Sequence, residues 1–292
     1  FIPLISMDEM RCLVLILLLV SFVRSGRLSK EENLAIQTEC SRRLFRRILN
    51  ADPVAAHDVI GQSAVAIVVE GPNKGVCSGT LISPRHVLTA SHCFTQHECT
   101  STKPKTVVHV GAQCIDKPSC SGTAIGVRKY TTFPGYFPSE CKGETKVGLD
   151  ITVVELEQDV RNGLTTIACL PKSAEIPREM TGYGFGDNNS NLGNLGMLKW
   201  KPINCTNEED KAVFCAQPYK FEQNGCFGDS GHGALQIGAG SRPIIHGVFS
   251  NGASCDQIVN MIILKEKGKK IKPRESAERF VATHDKSEFI CQ

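Results

Sequence analysis

Short runs of β-branched and aliphatic residues, broken at close intervals by glycine, proline and asparagine, set the rhythm of this chain. The clearest runs from Ala64 to Val69 and is followed by Gly71-Pro72-Asn73. It reads as a buried strand ended by a turn. Thr106 to Val110, Ile151 to Leu156 and Ile244 to Phe249 repeat the pattern. Short strands punctuated in this way predict an all-β sandwich or a pair of barrels. No tandem repeat or heptad interrupts them. Ala277 to Ile290 predicts a short helix, with Phe280, Val281, His284 and Ile290 partly on one face. Between Ile262 and Glu275 lie Lys265, Lys267, Lys269, Lys270, Lys272 and Arg274. Such a charge run reads as a solvated loop, with steering of an anionic substrate as the sharper alternative.

The first part of the chain has a different pattern. Leu13 to Val23 is continuously apolar and follows Met10-Arg11. That run is shorter than the roughly 20 residues of a spanning helix. A basic start, an apolar middle and the small residues Ser25-Gly26 predict a secretory signal peptide over residues 10–25. Leu28 to Arg47 is polar and charged, ending in Arg42-Arg43 and Arg46-Arg47. Residues 26–47 therefore read as an exposed, cleavable propeptide, and 48–292 as the working domain. The expected location is secreted and extracellular, with no membrane association once the signal is removed.

Composition narrows this picture. Of 292 residues, 41% are apolar, enough to build a substantial core. Aromatic content is 6%, and there are 26 glycines and 14 prolines, a mix that favours strands and turns over long helices. The net charge of +3 argues against nucleic acid as a partner, because phosphate binding needs a concentrated basic face. Fourteen cysteines point to an oxidising compartment where thiols pair. No CxxC pair with zinc spacing occurs, so neither a metal nor a cofactor is expected.

The chemistry concentrates in three blocks. Cys226-Phe227-Gly228-Asp229-Ser230-Gly231 sets a serine between glycines and after an aspartate. Serine is a poor nucleophile at neutral pH, so such a loop needs a base from elsewhere. Leu88-Thr89-Ala90-Ser91-His92-Cys93 supplies a histidine, and Leu149-Asp150-Ile151-Thr152-Val153-Val154 a carboxylate at the start of a strand. His, Asp, Ser is one of several chain orders that reach the same catalytic geometry.

These blocks resemble the chymotrypsin-like (trypsin-like) serine protease family, over most of the chain from Ile48 to Cys255. The resemblance implies two packed, antiparallel, six-stranded β-barrels, roughly 48–165 and 166–276, with the active site between them and a short C-terminal helix. It implies a serine endopeptidase made as a zymogen. Ser230 would be the nucleophile, His92 the general base and acid, and Asp150 the group that fixes the imidazole. The N–H groups of Gly228 and Ser230 would form the oxyanion hole. Asn224, Gly225, Ser250 and Gly252 match positions of the substrate-binding pocket, and Ser250 also matches the position that hydrogen-bonds the aspartate. Cleavage at Arg47-Ile48 would free an ammonium to pair with Asp229. The same match pairs Cys77 with Cys93, Cys205 with Cys215, Cys226 with Cys255, and Cys40 with Cys169. Cys99, Cys114, Cys120, Cys141 and Cys291 remain unassigned. Implied partners are protein or peptide substrates, an activating protease and protein protease inhibitors.

The chain departs from the family pattern in several places. Asn224 stands where trypsins carry aspartate, so a neutral primary specificity is expected rather than one for Arg or Lys. His232 follows the nucleophile loop and is expected to be structural. Asn251 replaces a tryptophan beside the substrate strand, and residues 256–276 break the pattern altogether. A catalytically impaired homologue that acts by binding, as a decoy, is the competing reading. A purely structural disulfide-rich module leaves the triad order unexplained.

Overall fold

The computed structural model describes residues 28–41, 58, 60–70, 75–94, 105–136, 146–160, 165–186, 193–205, 210–219, 224–238 and 242–292, apart from the side chains of 37–41 and of 273–274. The signal segment and the Arg47-Ile48 junction lie outside these. A helix, α1 (Lys30–Ser41), precedes the barrels.

Two closed, antiparallel, six-stranded barrels follow. The first holds β1 (Ala64–Val69), β2 (Gly75–Leu81), β3 (His86–Thr89), β4 (Thr106–Val110), β5 (Thr123–Thr132) and β6 (Thr152–Leu156), in spatial order β1-β2-β3-β6-β5-β4. The second holds β7 (Met180–Gly184), β8 (Gly196–Ile203), β9 (Val213–Pro218), β10 (Gly233–Ile237), β11 (Pro243–Asn251) and β12 (Glu278–Ala282), in order β10-β11-β12-β9-β8-β7. The last strand carries the second barrel to residue 282, past the expected limit at 276.

β1 shows how sequence sets position. All six of its residues are buried, and alternate side chains of a strand point to opposite faces. Val65, Ile67 and Val69 fill the first barrel, while the smaller Ala64 and Ala66 join a second cluster. That cluster also takes in Tyr183, Leu235, Ile245 and Val248 from the second barrel. Large residues thus pack inside the barrel, and small ones let the two barrels approach. The second barrel has its own core around Met180, Trp200, Phe249 and Phe280.

Two expectations near the C-terminus change. Ala277 to Ile290 is not one helix. Its first part is β12, with Phe280 opposite Phe249 on β11 and Phe214 on β9. Pairing on both sides overrides the weak helical pattern, and helix appears only as the short α3 (Ser287–Ile290). Nor is the basic stretch all loop. α2 (Cys255–Glu266) starts at a capping box, in which Ser254 and Gln257 satisfy each other's backbone N–H. Its last turn takes in Ile262 to Glu266, and Lys265, Lys267, Lys269, Lys270 and Lys272 are exposed.

Candidate active site

The three chemistry-bearing blocks meet at the seam between the barrels. His92 sits in a 3-10 turn (Ser91–Cys93) just after β3. Asp150 follows another such turn (Val147–Leu149), just before β6. β3 and β6 are hydrogen-bonded neighbours, with Thr89 opposite Thr152, so the sheet register brings the two residues together. Beneath them, the buried hydroxyls of Ser91 and Thr152 lie 2.8 Å apart and tie the turns to the sheet.

Asp150 is 2% exposed and receives three hydrogen bonds. The His92 backbone N–H donates to Oδ1 at 2.9 Å. His92 Nδ1 lies 2.7 Å from Oδ2, and the Ser250 hydroxyl donates to the same oxygen at 2.6 Å. A carboxylate only accepts, so Nδ1 carries the proton and the lone pair of the neutral ring is at Nε2. His92 and Ser230 both line one cleft of about 530 Å³.

Ser230 belongs to the second barrel, but the first barrel holds its loop. On β2, the Ser78 N–H donates to the Ser230 carbonyl and its hydroxyl to the Gly228 carbonyl, each at 2.8 Å. The Phe185 N–H donates to the same hydroxyl at 2.9 Å. The Thr89 hydroxyl in turn fixes the Ser78 carbonyl at 2.7 Å. Gly228 and Gly231 have positive φ, 95° and 86°, which glycine adopts without strain. At Gly231 a side chain would also collide with Thr89. Among the described residues neither the Gly228 nor the Ser230 N–H donates to another group.

Asp229 turns inward from this loop. Its carboxylate accepts the Gly186 N–H at 2.9 Å and the Cys226 N–H at 2.8 Å. His232 is stacked between Trp200 and Phe249, with ring centroids 5.0 and 4.8 Å apart. Its Nδ1 donates to the Asp229 carbonyl at 2.6 Å. Burial pushes its pKa down to about 4, against the smaller opposing effect of that carbonyl. The ring is therefore neutral and acts as packing under the loop.

Gly225, Ser250, Asn251 and Gly252 line the same cleft, whereas Asn224, half-buried before Gly225, does not. The space behind Gly225 and Gly252 is taken by Glu278, a residue that the sequence reading passed over. Its one visible signal was a lone glutamate opening the run Glu278-Arg279-Phe280-Val281-Ala282. Ser78 was likewise unmarked, since its importance lies in contacts some 150 positions away.

Cys77–Cys93, Cys205–Cys215 and Cys226–Cys255 are bonded. Cys114 and Cys120, unassigned from sequence, form a further bridge. Cys169 is also disulfide-bonded, while the Cys40 side chain, Cys99 and Cys141 lie outside the described residues. Cys291 is a free, exposed thiol. Among the described residues, Cys114, Asp116 and Cys120 are grouped as metal ligands would be, but the bridge between the two cysteines removes both thiolates. No described helix is long and apolar enough to cross a membrane.

Two closed six-stranded barrels with a histidine, an aspartate and a serine at their seam define a two-barrel serine hydrolase architecture. The Trypsin family model matches residues 50–264. The chain belongs to the trypsin family of serine proteases. It is 29% identical to the cercarial protease of Schistosoma mansoni, over 65% of this chain and 75% of that one. To the trypsin-like protease try-5 of Caenorhabditis elegans it is 26% identical, over 65% and 72%. To phenoloxidase-activating factor 3 of Holotrichia diomphalia the identity is 31%, over 61% and 57%.

Proposed function

We propose that the protein is a secreted serine endopeptidase, made as a zymogen and working through His92, Asp150 and Ser230. The observation that carries this reading is the set of donors around Asp150. A carboxylate bound to the ring, to the backbone of the same histidine and to Ser250 has one job, which is to hold the imidazole in one tautomer and one orientation. Nε2 then takes the proton of Ser230 as its oxygen attacks the scissile carbonyl, and returns it to the leaving amine. Asp150 stabilises the imidazolium in between. The N–H groups of Gly228 and Ser230, not engaged by the described residues, receive the oxyanion; each such donor lowers the barrier by roughly 3 kcal/mol.

Activation follows from Arg47-Ile48. Cutting there frees the Ile48 ammonium, which pairs with Asp229 and sets the conformation of the Gly228 loop. Losing one partner of such a buried pair costs about 3–5 kcal/mol, enough to switch the loop. If the Cys169 bridge is to Cys40, the cut propeptide stays attached.

A fluorophosphonate probe tests the reading. The chain opened at Arg47 is expected to label at Ser230, with no label on Ser230→Ala and little on Arg47→Gln. A folded, opened chain that does not label would instead favour a protease homologue that acts by binding.

A further inference from the structure

The basic stretch around the end of α2 has no part in the chemistry above, yet it gathers the charge of the domain in one place. Residues 48–292 contain 25 basic and 25 acidic residues, so this part of the chain is neutral as a whole. Six of those bases, against two acids, fall within residues 265–275. The remainder is therefore net acidic. Lys265, Lys267, Lys269, Lys270 and Lys272 are all exposed. Among the described residues, Lys267, Lys269, Lys270 and Lys272 form no ion pair. Like charges held this close repel one another, and an anion brought among them relieves that repulsion.

Both ends of this excursion sit at the rim of the cleft. α2 begins at Cys255, which lines the cleft together with Ser254 and is bonded to Cys226 of the nucleophile loop. The chain returns at Ala277, whose carbonyl would lie 3.7 Å from a Cβ on Gly252, another lining residue. The 12 residues of α2 rise about 18 Å, and the lysines that follow it are on the way back to Ala277. They therefore lie within about 25 Å of the rim, the span of roughly seven or eight extended residues. The exposed side of α2 argues against a lipid surface as the partner. Val259 and Ile263, 54% and 40% exposed, share one stripe of the helix with Asp256 and Glu266 at its two ends. Laying that stripe on an anionic bilayer would press two carboxylates against like charge. A separate anionic polymer has to find the lysines unaided, whereas an acidic stretch of a polypeptide already held in the cleft reaches them at a high effective concentration.

We infer that residues 265–272 form an exosite for acidic polypeptide, and that the preferred substrates carry a cluster of Asp and Glu about seven or eight residues from the bond that is cut. The inference rests on the endopeptidase reading and names its substrate class. Lysine ammonium groups are strongly hydrated point charges on flexible stems, so they read the charge density of a partner more than its shape. The exosite steers the acidic substrate to the cleft and holds it there, both of which weaken as salt is added. The lysines do not touch the reacting atoms, so they hold substrate and transition state equally and their effect falls on KM, with kcat unchanged.

The test compares two peptide mixtures on the full chain opened at Arg47. Both are randomised around the scissile bond. One carries a flanking run of glutamates, placed on each side of the bond in turn, and the other carries serines at the same places. At low salt the glutamate peptides are expected to be cleaved with a kcat/KM about tenfold or more higher, the gain lying in KM. The advantage should vanish near 1 M salt, where screening shortens to about 3 Å; this measurement needs no variant. Lys267→Gln, Lys269→Gln, Lys270→Gln and Lys272→Gln made together should also abolish it, while the serine peptides are cleaved as by the wild type. Equal cleavage of the two mixtures by a chain that labels with the fluorophosphonate probe, or an advantage that survives in the variant, overturns this inference and leaves the endopeptidase reading intact. Equal cleavage together with retention on dextran sulfate of the wild type but not the variant also overturns it, and assigns the lysines to a separate anionic polymer. No labelling and no cleavage overturns both.

Discussion

Two buried carboxyl groups, one beside His92 and one behind Gly225 and Gly252, are treated in opposite ways. Asp150 is surrounded by donors from three places: the backbone and ring of His92, and Ser250 on β11. Glu278 accepts a single backbone N–H, from Gly225, with the Trp200 indole beside it, and burial outweighs both and raises its pKa. A fully satisfied network is rigid and fixes geometry, whereas a partly satisfied one carries a standing penalty. The first arrangement suits a group that orients another residue through every turnover. The second leaves a carboxyl that keeps its proton in the folded state up to about pH 8.

The comparison can be broken most sharply at Asp150. Asp150→Asn is expected to lower kcat by about 10⁴-fold, because the amide favours the wrong imidazole tautomer. A loss below tenfold in a peptide-hydrolysis assay would mean that the carboxylate does not orient the ring. Ser250→Ala removes one neutral donor to the same charge, a bond worth roughly 1.5–3 kcal/mol. The expected loss in kcat is about 10- to 100-fold, with the pH profile measured alongside to show whether the histidine titration moves.

Stability against pH probes the other end. Glu278 holds its proton in the folded state up to about 8 but releases it near 4.3 when unfolded. Between those values the folded state binds more protons, so this residue's contribution to stability falls as pH rises and is flat above about 8. His232 acts oppositely. Its folded pKa of about 4 lies below the unfolded value near 6.5, so its contribution is lost as pH falls from 6.5 towards 4. Glu278→Gln should therefore flatten the fall in stability between about pH 4.3 and 8 and leave the His232 loss below about 6.5 in place. The expected gain in Tm near pH 8 relative to wild type is at least about 2–4 °C, the shift that 1 kcal/mol produces in a domain of this size. Identical pH profiles for the two proteins would count against a buried, protonated Glu278. The smallest effect belongs to the exposed lysines after α2: Lys269→Ala and Lys270→Ala should each change unfolding free energy by less than about 0.5 kcal/mol in a denaturant titration.

The parts legible in the sequence were those with a local signature. The continuous apolar run from Ala64 to Val69 gave a strand, and the three short blocks around His92, Asp150 and Ser230 gave the chemistry in its chain order. Ser254 and Gln257 also carried a readable capping pattern, but the lysines beyond drew attention from it. What could not be read depended on register. Glu278 packs behind Gly225 and Gly252 only because Phe280 pairs with Phe249 and Phe214, and a slip of one residue would have turned Arg279 inward instead. Ser78 is one unremarkable serine in β2 until the second barrel docks against it.

The grip of Ser78 on the Ser230 loop has a consequence for how this enzyme is divided. A chain fragment ending before β7 would own the imidazole and the carboxylate, and the remainder would own the hydroxyl and the pocket. Each half contains an anchor for the other's contribution, Ser78 for the Ser230 loop and Ser250 for Asp150. Ser230 is mounted across a joint, so any slippage of one barrel on the other is transmitted directly to its loop. Barrel docking is in this sense a machine tolerance, and it is held at one place by the backbone N–H and hydroxyl of one serine.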